Sequence, residues 1–227
     1  MNETIRLLIE NIDAETRWAL KKKSAAVQIW APEDSAYLRS VERKANLLGI
    51  RTLIIKRAPE LPCTSRAYPV VADNERGLEF GGLPSERDPD NLFQENDDMS
   101  CVAEAVYLTL AWTGLFDSLP GLHVALVGRG HAVKGLEARL LARDATVTVC
   151  HSKTRDLGAI LKTASVVVYC ADTVAPNDQM VLASRKPAVL DVSGAAGKAG
   201  LHVYASASDL GKLNVSILMN RIATGRR

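Results

Sequence analysis

The sequence has no excess of charge of either sign. Its 28 lysines and arginines stand against 26 aspartates and glutamates, a formal net charge of +2 over 227 residues. That balance provides no basic field for nucleic acid, and no nucleic-acid partner is expected. The run Lys21-Lys22-Lys23 reads as the solvated end of a helix. Long apolar runs are absent as well. Stretches such as Val166–Ala171 are strand length, whereas a membrane span takes roughly 20 residues, so no membrane partner is expected. Cysteine is scarce: Cys63, Cys101, Cys150 and Cys170, with no CxxC. No histidine lies at ligand spacing from a cysteine except in the adjacent pair Cys150-His151. These cysteines read as reduced thiols, with no metal site expected. The opening Met-Asn-Glu-Thr-Ile-Arg lacks the positive-then-apolar layout of a secretion signal, which gives the expectation of a cytoplasmic protein.

What the sequence does contain is an ordinary globular mixture. Apolar residues make up 47% and charged residues 24%, which excludes a disordered or fibrous chain and suits one large or two small domains. Residues 2–23 read as a helix, with Ile5, Leu8, Ile9, Ile12 and Trp18 near helical spacing. A strand at Ala25–Trp30 follows. Glu33-Asp34-Ser35 then caps a helix that Gly49 stops after Leu48. A second strand is expected at Thr52–Ile55, an irregular stretch at Ala58–Asn74 and a weak third strand at Gly77–Phe80. Residues 81–100, polar and rich in Gly and Pro, read as loop rather than core.

The pattern changes near residue 100. Cys101–Leu115 reads as a long apolar helix with Ser100 as its cap. Then come a strand at His123–Val127, a glycine turn, a helix over 133–143 and a strand at Thr146–Cys150. A helix over 155–163, a strand at Val166–Cys170, a loop and a strand at Ala188–Val192 follow. Residues 194–200 read as a flexible connection and Asp209–Ala223 as a last helix. Apolar strands separated by helices predict a parallel sheet of Rossmann type.

Within that pattern, Val127-Gly128-Arg129-Gly130-His131-Ala132-Val133 carries a strand into a GxG turn and a helix. The first glycine allows the tight turn, and the second lets a diphosphate approach the backbone. The next strand ends Cys150-His151-Ser152-Lys153-Thr154, with no carboxylate to meet a free ribose hydroxyl. Arg129, Ser152 and Lys153 supply a guanidinium fork, a hydroxyl and an ammonium for a phosphate instead. The expected cofactor is therefore NADP. Its binding residues would be Gly128, Arg129, Gly130, Val133, His151, Ser152, Lys153 and Thr154. A competing reading makes residues 151–154 a helix cap and nothing more.

Several of these segments together resemble the methylenetetrahydrofolate dehydrogenase/cyclohydrolase family. Ala145–Thr154 with Arg155-Asp156-Leu157 is close to its ATVTxCHSxTxxL signature, and Val127–Val133 resembles its VGRSxxVG turn. Ser100-Cys101 resembles its PCTP helix start, and Ala188–Val192 its late strand IVIDVG. The resemblance is weaker toward the ends. There Ser35-Ala-Tyr37 with Arg43-Lys44-Ala45 is similar to SxxYxxxKxKA, Arg87-Asp88-Pro89-Asp90 to KDVDG, and Gly211–Val215 to the closing GPMTV helix. The family implies a smaller α/β catalytic domain and a Rossmann-type cofactor domain with a cleft between them. Here that means residues 1–98, completed by a C-terminal helix at 208–227, and residues 99–207. It also implies a homodimer and a folate-like or imine-like small-molecule substrate.

The departures carry as much meaning. One helical turn after Tyr37, where the family places its catalytic lysine, stands Val41; Lys44 lies two turns on. Asp90 matches the aspartate that meets the pterin, but Asn91 replaces the glycine beside it. The family's QLPLP motif falls on Gly81-Gly82-Leu83-Pro84. Opening a methenyl bridge with water needs a lysine that can move a proton near neutral pH. Hydride transfer asks mainly that the cofactor be held against the substrate carbon. The expected activity is therefore NADP-dependent oxidation of methylenetetrahydrofolate with weak or lost cyclohydrolase action. Tyr37, Lys44 and Asp90 would be the catalytic residues. The alternatives are a repurposed relative acting on another imine-like substrate and a non-catalytic NADP-binding protein.

Overall fold

A computed structural model describes residues 2–31, 33–56, 68–73, 83, 85–93, 98–112 and 120–226. The chain forms two units. One comprises Leu7–Cys101 with Asn214–Arg227, and the other Met1–Arg6 with Val102–Leu213.

The first unit is built on a parallel sheet of order β2-β1-β3, with β1 Ala26–Trp30, β2 Arg51–Ile55 and β3 Val70–Val71. β1 is central and buried at all five positions, and it pairs from Ala26↔Arg51 to Trp30↔Ile55 on one side. On the other side Gln28 meets Val70 and Ile29 meets Val71. This third strand lies in the stretch expected to be irregular. A two-residue Val-Val strand is too short to show a period, and only pairing with β1 defines it. The expected strand at Gly77–Phe80 lies outside the described residues, as does Cys63.

Two helices frame this sheet in the chain. α1 runs from Glu3 to Leu20 and α2 from Ala36 to Leu48. Ser35 caps α2 by accepting the Leu38 N–H at 3.1 Å, and Gly49 ends it in the left-handed conformation at φ 78. α2 buries Leu38, Val41, Ala45 and Leu48, one stripe at helical spacing. After Cys101 the apolar helix α3 continues to Trp112. The remainder expected up to Leu115 lies outside the described residues.

Residues 85–93 depart from the loop expectation. Arg87, Asp88, Asp90 and Asn91 are all buried. Their polar groups are satisfied inside: Arg87 reaches Gln28 Oε1 at 3.0 Å, and Asp88 accepts the Leu92 and Phe93 N–H groups at 2.8 Å each. A charged stretch can enter a core when each charge finds a partner, and composition alone does not reveal those partners.

The second unit holds the parallel sheet β5-β4-β6-β7. Its strands are β4 His123–Val127, β5 Thr146–Cys150, β6 Val166–Tyr169 and β7 Ala188–Asp191. From β4 the chain moves to β5 on one side and then to β6 on the other. The order therefore reverses at β4, where such sheets open a crevice beyond their carboxyl ends. The core gathers Ala125, Val127, Cys150, Leu161, Val167, Tyr169, Leu182 and Val189.

Four expectations in this unit need correction. The helix expected over 133–143 is a short 3-10 turn, His131–Val133, followed by α4 Leu136–Leu141. Gly135, at φ 74, breaks the two apart. α5 spans Leu157–Thr163 and begins two residues later than expected. The loop expected before β7 contains a helix, α6 Pro176–Arg185, with proline in its first turn and Leu182 buried. Residues 194–200 are not a free connection either. They hold α7 Ala195–Lys198, tied to Asp191, whose two carboxylate oxygens accept the Gly194 and Gly197 N–H groups at 2.9 and 2.8 Å. α8, Ala207–Thr224, ends the described fold.

Candidate functional site

At the carboxyl end of β4 the backbone turns at Gly128, whose φ is 119. Its N–H donates to Cys150 O at 2.8 Å, and a Cβ placed there would stand 3.0 Å from the Cys170 Cβ. Conformation and space together require glycine. Gly130 differs. Its backbone is extended, and a Cβ there would meet nothing within 4 Å. Any residue could adopt that conformation, so local folding does not demand glycine at 130. A missing side chain there leaves the backbone open to a ligand. The Val133 N–H closes the turn on Gly130 O at 3.1 Å, and Val133 itself is buried. Val133 therefore shapes the turn through its backbone.

β5 lies beside β4 in register, Val127 opposite Cys150, so the two turns leave the sheet side by side. Arg129 is two residues beyond one strand and Ser152 two beyond the other. Arg129, Ser152 and Lys153 are exposed. The turn at 151–154 is closed by its own bonds. The His151 N–H donates to Thr154 Oγ1 at 2.8 Å, and the Thr154 N–H to His151 O at 2.8 Å. The Lys153 N–H donates to His151 Nδ1 at 3.1 Å. The cap of α5 is supplied elsewhere, by Asp156, whose side chain accepts the Ala159 N–H at 3.1 Å. Capping thus does not explain residues 151–154. An open glycine backbone, two cationic side chains and a hydroxyl on adjacent turns, with no carboxylate at the strand end, fit a phosphorylated dinucleotide.

The rim around this crevice was not legible as a site in the sequence. The Tyr169 hydroxyl donates to Thr173 O at 3.0 Å and Ser193 Oγ to Ala171 O at 2.7 Å. Burial first, then the neighbouring Asp191, pushes the Cys170 thiol up to about 12. Burial likewise holds the Asp178 carboxyl above its usual value. Burial and Asp191 keep Cys170 a neutral thiol. The adjacency of β6 and β7, with Tyr169 opposite Asp191, is a property of the sheet and brings these groups together.

A second constellation lies in the first unit. The Tyr37 hydroxyl, at the start of α2, donates to Asp90 Oδ2 at 3.3 Å. Asp90 Oδ1 accepts the Cys101 N–H at 2.9 Å, placing a carboxylate at the N-terminus of α3, where the helix dipole favours it. Arg221 of α8 pins the same segment, donating to Pro89 O at 3.1 Å and Met99 O at 3.0 Å. Asn91, beside Asp90, has φ 55. Asparagine tolerates this left-handed conformation, so it can stand where the family has glycine. Burial, then the Asp90 charge, holds the Tyr37 phenol well above its ordinary 10.0.

The structure brings Tyr37 and Asp90 together and gives Lys44 to another partner. Lys44 Nζ stands 2.6 Å from Asp13 Oδ2 of α1, and the two side chains are 16% and 9% exposed. Val41, one turn from Tyr37, is fully buried. Among the described residues no three His, Cys, Asp or Glu side chains gather as a metal ion requires, and no helix is long and apolar enough to cross a membrane.

Known proteins are similar to this chain in sequence and in fold. A family model described as the tetrahydrofolate dehydrogenase/cyclohydrolase NAD(P)-binding domain matches residues 100–198. The bifunctional protein FolD of Thermosipho melanesiensis is 34% identical over 166 residues, 62% of this chain and 60% of that protein. The chain thus spans less than two thirds of the length of curated relatives such as this one. In three dimensions, FolD from Campylobacter jejuni superimposes with a TM-score of 0.69 at 17% identity, covering 98% of this chain and 96% of that one. FolD from Trypanosoma brucei, solved with NADP and an inhibitor, gives 0.68 at 18% identity and covers 99% and 96%. At such identities the structural likeness speaks to the fold.

Proposed function

We propose that the chain is a member of the tetrahydrofolate dehydrogenase/cyclohydrolase family and an NADP-dependent oxidoreductase of methylenetetrahydrofolate, a reading supported by the match of residues 100–198 to that family's NAD(P)-binding domain. The observation that carries this reading is the pair of adjacent turns after β4 and β5. Gly128 allows the tight turn, Gly130 leaves backbone open for a diphosphate, and Arg129, Ser152 and Lys153 offer charge and a hydroxyl for a 2′-phosphate. The bound nicotinamide supplies hydride chemistry. The protein supplies placement, through a crevice fixed by Gly128 against Cys170 and by the Asp191-held α7 segment.

Tyr37 and Asp90 form the substrate side of the reading. The phenol remains protonated, a neutral hydroxyl whose proton is directed at Asp90 rather than a phenolate. Lys44 serves as the partner of Asp13, and the position one turn from Tyr37 is the apolar Val41. Neither provides a proton carrier there for water attack on a methenyl bridge. Cyclohydrolase action is accordingly weak or lost.

The direct experiment follows nicotinamide absorbance with methylenetetrahydrofolate and either NADP or NAD. Reduction of NADP in preference to NAD, with a methenyl product that accumulates unhydrolysed, is expected. Rapid hydrolysis of that product would contradict the role given to Lys44. Dinucleotide binding without turnover would overturn the oxidoreductase reading and leave the non-catalytic one. A second substrate reading rests on one observation: both Asp90 oxygens are already engaged within the protein. An Asp90 held in this way would suit a different imine-like small molecule, seen as NADPH oxidation with imines but not with the folate. A cytoplasmic homodimer accompanies either reading. Light scattering tests its stoichiometry.

A further inference from the structure

The turn that follows β5 contains a histidine whose ring accepts the backbone N–H two residues on, and this deepens the NADP reading on which it rests. We propose that His151 is a positioning residue for 2′-phosphate specificity. Its Nδ1 accepts the Lys153 N–H and so sets the loop that presents Ser152 and Lys153.

The geometry resembles an Asx turn, in which a side-chain acceptor at one residue takes the N–H two residues on. Here the imidazole nitrogen takes the place of an asparagine oxygen, 3.1 Å from the Lys153 nitrogen. Two further bonds, His151 N–H to Thr154 Oγ1 and Thr154 N–H to His151 O, close the same four residues. Ser152 and Lys153 are thereby the two central residues of a doubly braced turn, with their side chains exposed. An acceptor role for Nδ1 requires the ring proton on Nε2. Because the turn is at the surface, losing the bond costs little desolvation. The cost falls on preorganisation: residues 152 and 153 would have to be ordered when the phosphate binds.

The role makes a specific demand on substitutions. His151→Asn keeps an acceptor two residues before the Lys153 N–H, and His151→Ala removes it. Titration of NADP and NAD onto the full chain should show the NADP-to-NAD selectivity falling by about five-fold in His151→Ala, the size expected from one lost hydrogen bond. His151→Asn should retain most of the selectivity. Thermal midpoints of both variants should stay close to that of the unaltered protein. In the unaltered protein, the ring-nitrogen NMR shifts of His151 should report the Nε2–H tautomer.

Unchanged selectivity in His151→Ala would overturn the proposal, as would equal losses in the alanine and asparagine variants or an Nδ1–H tautomer. If those results came with strong NADP preference in the unaltered protein, the oxidoreductase reading would stand without them. An unaltered protein that ignores the 2′-phosphate would remove both.

Discussion

Lys44 Nζ and Asp13 Oδ2 form an ion pair at 2.6 Å between α2 and α1, largely withdrawn from water. Asp13 Oδ1 has no hydrogen-bond partner among the described residues. The lysine is therefore the main compensation for a buried carboxylate. Lys44→Met should lower stability by about 2 kcal/mol, because a buried charge left alone costs more than the pair is worth. Lys44→Met with Asp13→Leu should recover much of that loss. Denaturant melts of the three variants test this. A Lys44→Met protein of full stability but abolished turnover would return the lysine to the chemistry.

Gly128 and Gly130 are separated by one residue and should respond oppositely. Gly128→Ala forces a Cβ to within 3.0 Å of Cys170 at φ 119, and should cost about 2 kcal/mol or more in thermal unfolding. Gly130→Ala, with open space and an extended backbone, should fold normally. Its effect should appear as weaker dinucleotide binding, measured by titration. Normal binding in a folded Gly130→Ala protein would argue against close backbone approach.

Arg129 is exposed at the tip of the glycine turn. Arg129→Ala should weaken NADP by about ten-fold or more while NAD weakens far less, as expected for one lost charge-assisted contact. An equal loss for both cofactors would assign the guanidinium to the shared diphosphate.

Tyr37 gives a pH prediction. Its phenol is raised well above 10.0 by burial and by Asp90, so the folded state keeps the proton longer than the unfolded state. The stability it contributes is full below the unfolded value of about 10 and declines as pH rises toward the folded value. Alkaline stability curves of the unaltered protein should therefore fall more steeply above that pH than those of Tyr37→Phe. Parallel curves would show that the phenol titrates normally.

Sequence pattern made the β4–β7 sheet readable because each strand is a short apolar run between helices, and each cause lies within a few residues. The helix α6 escaped notice because only Leu182 and Asp178 are buried on it, too few for a period to stand out. In the sequence, the missing carboxylate together with Arg129, Ser152 and Lys153 makes the turn at 151–154 a candidate phosphate site. Its internal bracing by His151 Nδ1 is not legible there, since an imidazole acceptor has no fixed sequence signature.

By itself the sequence determined the glycine turn, the parallel strands, the Ser35 and Gly49 caps of α2 and the absence of a lysine one turn after Tyr37. All of these follow from steric and hydrogen-bonding rules that act over a turn or two of chain. Tertiary structure alone decided that Lys44 pairs with Asp13, 31 residues away, and that Asp90 joins Tyr37 to the Cys101 N–H across 53 and 11 residues. It also decided that the charged segment around Arg87 lies buried. The partner of a buried charge is set by which elements pack against each other, and no local pattern along the chain encodes that choice.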